Sequence, residues 1–328
     1  MRRLNVGLYG ANGHQIAGVL AGHPRAVLAA TAELPREALP AGLRDDRSVR
    51  HYATFEELLG DPAVELVSLC SPRRRQQADD AVRALRAGKH VYAEKPCAMA
   101  EPDLDRILAA AAQAGRQFHE MAGTAFEQPY WAMRQAVREG VIGDVVQVFA
   151  QKSYPYHPGR PQDEDVDGGL IGQNAIHAVR FIEHVAMTRV RTVEAIETRH
   201  GNPVAGGGLN MACSLMMRLG NGGVATVVAN YLNQPGFGSW GNEHLRIFGT
   251  KGFVESVDAG RRTRLVVGDR DHGPLDTSQP APAFFDLVVA AILDAAPMPF
   301  SLEEELHPTR VVIQAKAAAL RNAPPCNP

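Results

Sequence analysis

Short apolar runs alternate with amphipathic segments over the first 120 residues of the chain. Leu4–Tyr9 is the first run; it ends at Gly10, and the apolar spacing that continues through Leu20 is typical of a helix. Val27–Thr31 is a second strand-like run, and VELVSLC at 64–70 is a third. Strands that alternate with helices are joined by right-handed crossovers into a parallel sheet. This alternation predicts a parallel, doubly wound α/β domain.

Two later segments extend the same pattern. Ala78, Val82 and Leu85 share one face of a predicted helix. Pro102 suits the first turn of another helix, which Gly115 can end. We therefore expect the first domain to continue to about residue 122.

The turn after the first strand has the layout of a dinucleotide-binding loop. Glycines would let a pyrophosphate approach the backbone, and the next helix would offer its unpaired N–H groups. A strict G-x-G-x-x-G pattern would need glycine at positions 12 and 15; Asn12 is the best substitute for a positive-φ glycine, and Gln15 fits less well. The cofactor-binding residues predicted here are Gly10, Asn12, Gly13, His14, Gln15 and Glu33.

Glu33 stands at the end of the second strand-like run. An acidic side chain there can accept both hydroxyls of the adenosine ribose, which favours NAD. Arg36 is close enough in sequence to hold a 2′-phosphate instead, so the choice between NAD and NADP stays open. The alternative is that Glu33 is a surface carboxylate at a strand end.

Composition excludes some classes of partner. The net charge is −2, from 34 Lys and Arg against 36 Asp and Glu, which does not favour a nucleic-acid or membrane partner. No CxxC pair occurs and no run approaches a membrane span, so we expect free thiols and a cytoplasmic protein. The four cysteines are Cys70, Cys97, Cys213 and Cys326.

The second half of the chain predicts a different sheet, in a domain over 123–328. Its strand candidates are joined by Gly- and Asn-rich turns: Val145–Gln151, Val190–Glu197, Met211–Leu219, Gly223–Tyr231, Glu243–Phe248 and Phe253–Val257. Residues 201–208 and 260–282 are predicted to be surface loops. Residues 301–322 are predicted to be a C-terminal helix, which Ser301 can cap.

The segment AGKHVYAEKP at 87–96 resembles the Gfo/Idh/MocA oxidoreductases, the glucose–fructose oxidoreductase and inositol dehydrogenase family. GVIGDV at 140–145 and IFGTKG at 247–252 are similar to other segments of that family. The resemblance implies an N-terminal Rossmann domain, then an α/β domain with a large, open, mostly antiparallel sheet. The family covers the outer face of this sheet with another subunit, so a homodimer or homotetramer is expected.

The resemblance also implies site residues. The lysine of the EKP segment, Lys95, would meet the nicotinamide ribose and the substrate hydroxyl. The family has a D-x-x-x-H pair on the first helix of its second domain; His177 matches the histidine, and Gln173 stands where the family has Asp. Tyr154 could line the substrate cleft or belong to a structural turn. Further cofactor contacts are implied for Ser71, Pro72, Gln76, Glu94 and Lys95.

The expected reaction interconverts a secondary alcohol and a ketone on a sugar, cyclitol or related polyol, with NAD or NADP as hydride carrier. Because Gln173 carries no charge, His177 would be a weaker base and Lys95 would take more of the proton transfer. Two alternatives remain: an enzyme that recycles a tightly bound cofactor, and a non-catalytic dinucleotide-binding sensor. The acidic run at 163–167 lacks metal-ligand spacing and is predicted to be a solvated loop, with no metal.

Overall fold

A computed structural model describes residues 2–121 and 123–323, which form two compact units. The first unit contains residues 2–121, 165–168 and 284–307, and the second contains the other described residues. Cys326 lies outside the described residues, whereas Cys70, Cys97 and Cys213 are buried free thiols. Every helix among the described residues is too short or too polar to cross a membrane.

Six parallel strands form the sheet of the first unit within residues 2–121, in the order β3-β2-β1-β4-β5-β6. This is the strand order of a Rossmann fold, and it confirms the predicted class. The neighbours β1 and β4 mark the point where the strand order reverses. The strands are β1 Leu4–Tyr9, β2 Ala26–Ala32, β3 Arg50–Tyr52, β4 Leu66–Leu69, β5 His90–Ala93 and β6 Phe118–Glu120.

The predicted start and end of one helix, α5 at Glu101–Ala114, are confirmed. In α5, Pro102 lies in the first turn, and Gly115 takes a left-handed conformation with φ 59° just after the last residue. The helix after Gly10 differs, because α1 starts only at Ala17 and has four residues. The helices are α1 Ala17–Leu20, α2 Ala41–Arg44, α3 Phe55–Gly60, α4 Gln77–Arg86 and α5 Glu101–Ala114.

Residues 284–307 pack with the first unit, although the sequence placed them in a second domain over 123–328. The ring of Phe285 lies 5.4 Å from that of Tyr92 and 5.5 Å from that of His23. Glu305 accepts hydrogen bonds from the backbone N–H of Glu120 and pairs with the imidazole of His119, each at 2.8 Å. These contacts bury an apolar helix whose partners are distant in sequence, which periodicity does not reveal.

Eight strands form one mixed sheet among the described residues of the second unit, in the order β14-β13-β12-β11-β7-β10-β9-β8. Every neighbouring pair is antiparallel except β7 and β10. The strands are β7 Val145–Ser153, β8 Val190–Thr198, β9 Ala212–Leu219, β10 Val224–Asn230, β11 Asn242–Gly249, β12 Gly252–Val257, β13 Arg262–Val267 and β14 Arg270–Gly273. The predicted surface loop at 260–282 is wrong over 262–273, where a hairpin adds β13 and the edge strand β14 to the sheet.

A helical layer covers one face of this sheet. Residues 170–185 are helical throughout; the turns at Leu170–Ala175 and Phe181–Val185 have π-type hydrogen bonding and flank α8, which is Ile176–Arg180. Ser301 caps α10 through Glu304, as the sequence predicted. The remaining helices are α6 Tyr130–Arg138, α7 Glu164–Asp167, α8 Ile176–Arg180, α9 Phe284–Asp294 and α10 Leu302–Arg321.

Candidate functional site

The carboxyl ends of the parallel strands carry most of the residues predicted to bind a cofactor. Gly10 follows β1, Glu33 follows β2, Ser71 comes two residues after β4, and Glu94 and Lys95 follow β5. In open parallel sheets, ligands bind in the crevice at this edge, where the strand order reverses. The edge of the first unit is therefore the place to test for a dinucleotide site.

Two glycines shape the loop after β1. Gly10 has φ 71° and Gly13 has φ 128°. A Cβ on Gly10 would lie 2.0 Å from the backbone oxygen of Cys70, and one on Gly13 would lie 2.6 Å from the side chain of Glu94. Glycine is thus required twice for close backbone approach, which is the property a pyrophosphate-binding loop needs. The residues present fit the dinucleotide that the sequence implied.

Asn12 and Gln15 have structural roles that the sequence reasoning did not foresee. Asn12 is not a positive-φ substitute for glycine; its amide donates to the backbone oxygens of Pro72 and Val166. The amide of Gln15 donates to the backbone oxygens of Tyr9 at 2.8 Å and Gly10 at 2.9 Å. These two side chains tie the loop to the strand ends in place of the glycines of a strict motif.

Glu94 is the buried charge at the centre of this edge, with 1% of its surface exposed. Its carboxylate accepts the backbone N–H and pairs with the imidazole of His14, at 2.8 Å for the ring, and accepts the N–H of Lys95 at 2.9 Å. Burial works against ionisation, but the hydrogen bonds from His14 and the charge of Lys95 hold the pKa of Glu94 well below its usual range. An ionised Glu94 therefore fixes the glycine loop.

Lys95 is almost fully buried beside Glu94. Its side chain is 2% exposed, and its ammonium lies 4.0 Å from a carboxylate oxygen of Glu94. Because Glu94 also holds the backbone of Lys95, the lysine has a fixed position at the end of β5. A buried, positioned ammonium can donate a hydrogen bond to a substrate oxygen or exchange a proton with it.

A groove of about 460 Å³ adjoins the glycine loop within the first unit. Its volume falls in the range of small-molecule sites, and the part of its lining between Leu34 and Pro40 is apolar. Glu33, next to the groove in sequence, is exposed and has φ 49°, an uncommon conformation for a residue with a side chain. These features fit an adenosine group. The lining residues are Ala11, Gly13, Gln15, Ala17, Gly18, Leu34, Ala38, Leu39 and Pro40.

The segment after β4 supports the loop mainly through residues that the sequence did not single out. The hydroxyl of Ser71 is buried and donates to Asp80 at 2.8 Å, while Pro72 and Gln76 are exposed. Buried Arg74 donates to the backbone oxygen of Asn12 at 2.6 Å. Only its burial distinguishes Arg74 from the arginines at 73 and 75, and sequence alone could not show that.

The acidic run at 163–167 is not a solvated loop. In the first unit, Asp165 lies 3.5 Å from the guanidinium of Arg75. In the second unit, Glu164 pairs with Lys316 at 2.7 Å and accepts from the amide of Asn210 at 2.9 Å. Distant basic residues therefore pair with Glu164 and Asp165, and an amide donates a hydrogen bond to Glu164. The sequence prediction lacked these long-range contacts.

In the second unit, Gln173 and His177 lie on the helix of residues 170–185. The prediction assumed α-helical spacing, but Gln173 lies in the π-type turn, which changes the stacking of residues four apart. Gln173 accepts from the hydroxyl of Tyr231 at 3.4 Å, and Nδ1 of His177 is 3.3 Å from the hydroxyl of Thr124. Thr124 and Tyr231 are contacts that motif reasoning missed. π-type turns in helices are frequent at functional sites.

Tyr154, a predicted substrate residue, lies beside His177. Its ring is 6.2 Å from the imidazole in an edge-to-face arrangement. The ammonium of Lys152 lies 4.9 Å from the Tyr154 ring centroid and forms an ion pair with Glu243. Burial opposes the charge of Lys152, but Tyr154 and Glu243 together raise the pKa of Lys152. The second unit thus brings the imidazole of His177 on α8 near the phenol of Tyr154 and a largely buried ion pair at the ends of β7 and β11.

The two units match family models of the same family. Residues 2–121 match the model described as "Oxidoreductase family, NAD-binding Rossmann fold", and residues 130–255 match the GFO/IDH/MocA C-terminal domain. The fold and the glycine loop thus define an NAD-binding oxidoreductase fold. The chain belongs to the Gfo/Idh/MocA oxidoreductase family, which confirms the resemblance.

Individual relatives are similar over parts of their length. A 1,5-anhydro-D-fructose reductase from Ensifer adhaerens is 34% identical over 40% of this chain and 42% of its own length. A 1-carboxy-3-chloro-3,4-dihydroxycyclohexa-1,5-diene dehydrogenase from Comamonas testosteroni is 30% identical over 44% of this chain and 37% of its own. The chain therefore aligns with less than half the length of each. The structure of an aldose–aldose oxidoreductase from Caulobacter crescentus, complexed with glycerol, superposes with a TM-score of 0.80, 22% identity and coverage of 98% and 99% of the two chains, which shows a shared fold.

Proposed function

We propose that this protein is a dehydrogenase or reductase that interconverts a secondary alcohol and a ketone on a sugar, cyclitol or related polyol. The observation that carries the proposal is the arrangement of Glu94 and Lys95 at the end of β5. One buried carboxylate fixes both the glycine loop and a buried lysine. Such an arrangement suits a site in which a bound dinucleotide and a reacting hydroxyl must be positioned together.

The nicotinamide supplies the hydride acceptor or donor. In the oxidation direction, the carbinol carbon loses a hydride and the hydroxyl loses a proton, so the products are a ketone, a reduced cofactor and a proton. We assign the proton to Lys95 and His177, with Gln173 orienting polar groups near His177 through its amide. Because Gln173 is neutral, it does not favour a charged imidazole as an aspartate would, and Lys95 takes the larger share.

NAD is the proposed carrier, with Glu33 accepting the hydroxyls of the adenosine ribose. An exposed carboxylate beside the groove favours the two hydroxyls over a 2′-phosphate, which it would repel. Ser71, Pro72 and Gln76 remain predicted contacts of the cofactor.

The names of the two relatives refer to an anhydro sugar and a dihydroxylated ring. They support a small cyclic substrate that carries oxygen groups.

The test is a panel of sugars, cyclitols and acyclic polyols incubated with NAD⁺ or NADP⁺, with absorbance at 340 nm as the readout. We expect at least one polyol to be oxidised with NAD⁺ and not by the Lys95→Ala variant. Dinucleotide binding without turnover of any substrate would favour the sensor alternative instead. Failure to bind either dinucleotide in calorimetry would reject both functions.

We also propose that the protein is a homo-oligomer that uses the face of the eight-stranded sheet opposite its helices. On that face of β8 and β9, Ile196 and Met216 are 60% and 68% exposed, among exposed polar side chains such as Glu194 and Arg218. Large apolar side chains exposed on a surface can mark a contact with another subunit. Sedimentation velocity should give at least a dimer, and Met216→Arg should lower the mass.

A further inference from the structure

The end of the second sheet carries an exposed aromatic side chain that the proposed roles leave unexplained. Trp240 lies just before β11, and 58% of its surface is exposed. Its ring is 6.1 Å from that of Tyr154 and 5.8 Å from that of His157. We call Tyr154, His157 and Trp240 the ring cluster. Because Tyr154 is buried and His157 is partly buried, the tryptophan packs on its inner side and leaves one face exposed.

The backbone holds this surface in place. The amide of Asn233, which is buried, donates to the backbone oxygens of Ser239 at 2.8 Å and Trp240 at 3.0 Å. The backbone N–H of Asn233 donates to the oxygen of Tyr154 at 3.1 Å. One asparagine thus ties the Trp240 loop to the residue that contacts His177. The free face of Trp240 has a fixed position relative to that imidazole within the second unit.

Polar groups surround the ring cluster. The guanidinium of Arg160 lies 3.7 Å from the ring centroid of Tyr231 and 5.9 Å from that of Tyr154, and Arg160 is 6% exposed. The ammonium of Lys152, which is ion-paired with Glu243, lies 4.9 Å from the ring centroid of Tyr154, and the side chains of Lys152 and Glu243 are each 12% exposed. Sites for small molecules combine aromatic surface with a few fixed polar groups. A ring polyol matches this chemistry, because its axial C–H groups form an apolar face and its hydroxyls form a polar rim.

We propose that Trp240 is a binding platform that selects ring-form polyols, such as pyranosides and cyclitols, over acyclic polyols. The proposal rests on the proposed polyol oxidoreductase function and narrows its substrate class. An acyclic polyol has no flat apolar face, so it gains little from an aromatic platform. The selection therefore acts on binding, and it changes KM more than kcat.

The sequence provides a direct optical test, because it contains two tryptophans. The other, Trp131, packs against Phe126 with the rings 5.7 Å apart. In a Trp131→Phe, Lys95→Ala double variant, in which the proposed turnover and the formation of reduced cofactor are suppressed, the emission of Trp240 should change on adding myo-inositol or methyl β-D-glucopyranoside in the presence of NAD⁺. D-glucitol at the same concentration should leave it unchanged. No change with either ring compound, or an equal change with D-glucitol, would overturn the proposal.

Kinetics give the second readout, on the ring substrate that the wild type oxidises best. Trp240→Ala should raise KM about tenfold, equivalent to about 1.4 kcal/mol, with kcat within about twofold. Trp240→Phe should recover most of the affinity. Val204→Ala, which changes another exposed apolar loop residue outside the ring cluster, should behave as wild type. An unchanged KM in Trp240→Ala would reject the platform while leaving the dehydrogenase function intact. If the wild type oxidises no polyol, the proposed dehydrogenase function is rejected. The fluorescence titration then remains the test of ring-polyol binding at Trp240.

Discussion

The glycine loop of the first unit and the ring cluster of the second are built by different means. The loop is fixed by backbone conformation and one buried charge: Gly10 and Gly13 have no room for a Cβ, and Glu94 accepts from the loop and from Lys95. The ring cluster is held by side chains: the amide of Asn233 bonds the backbone of the Trp240 loop, and rings pack around Tyr154.

This difference matches what each region has to recognise. A dinucleotide presents the same pyrophosphate to every enzyme that uses it, and backbone N–H groups at a tight turn are suited to that constant shape. Substrates vary, and side chains on loops can change without altering the sheet beneath them. We therefore expect substitutions in the loop to act on cofactor binding and stability. Substitutions around His177 should change substrate binding and the pH dependence of activity.

The largest effect on activity is expected at Lys95, which is proposed both to contact the cofactor and to exchange the proton. Lys95→Ala removes the buried ammonium that exchanges the proton, and kcat should fall roughly 10³-fold. NAD⁺ affinity measured by calorimetry should change only a few-fold, because the glycine loop and Glu94 remain. Lys251→Ala, in the exposed turn between β11 and β12, is the control and should have wild-type activity. A variant that keeps more than a tenth of kcat would remove Lys95 from the chemistry.

A smaller effect, mainly on binding, is expected from Gly13→Ala. The new Cβ would lie 2.6 Å from the Glu94 side chain in a residue with φ 128°, so the loop has to move. We expect NAD⁺ to bind roughly 10- to 100-fold more weakly and stability to fall by about 1–3 kcal/mol. Gly42→Ala is the matched control, because its Cβ meets nothing within 4 Å. Equal affinities for the two variants would contradict the role given to the loop.

Glu94→Gln tests the buried charge itself. Replacing a buried carboxylate that accepts several hydrogen bonds should lower the unfolding free energy by about 2 kcal/mol at pH 7. Because the folded pKa of Glu94 is depressed, its stabilisation is fully present above the unfolded pKa and is lost as pH falls through the folded one. The difference between wild type and variant, measured by urea unfolding, should therefore shrink below about pH 4.5. Exposed Glu139→Gln should show no such dependence; a difference constant with pH would argue that packing, not charge, is lost.

The sequence was most informative where local chemistry determines local structure. The alternation of apolar runs predicted the parallel sheet. Pro102, Gly115 and Ser301 marked helix ends correctly, because these residues act on the turn in which they lie. The hydrogen bond between Glu94 and the loop after β1 could not be predicted from the sequence, because it joins residues about 80 positions apart.

The surroundings of Tyr154 and His177 were predicted less completely, because their contacts also join residues that are distant in sequence. Tyr154 and His177 were identified, but Thr124, Trp240 and the Lys152–Glu243 pair come from segments without a motif. The helical stripe at 173 and 177 assumed α geometry, whereas the chain adopts a π-type turn at 170–175. Such a turn involves only a few residues, and the sequence prediction assumed α-helical spacing across them.

The smallest effect, and the most specific to the second unit, is expected from Gln173→Asp. A carboxylate one turn from His177 favours the charged imidazole, so the pKa of His177 should rise by about one unit. The acidic limb of the kcat/KM profile should move to higher pH by the same amount, with the maximum changed only a few-fold. Gln173→Asn, which is neutral, should leave the limb in place. If the limb stays fixed in Gln173→Asp while NMR shows a raised pKa for His177, then Lys95 alone handles the proton. If the pKa itself does not move, the π-type turn separates the two side chains, and the difference from the family pattern at 173 has no electrostatic consequence.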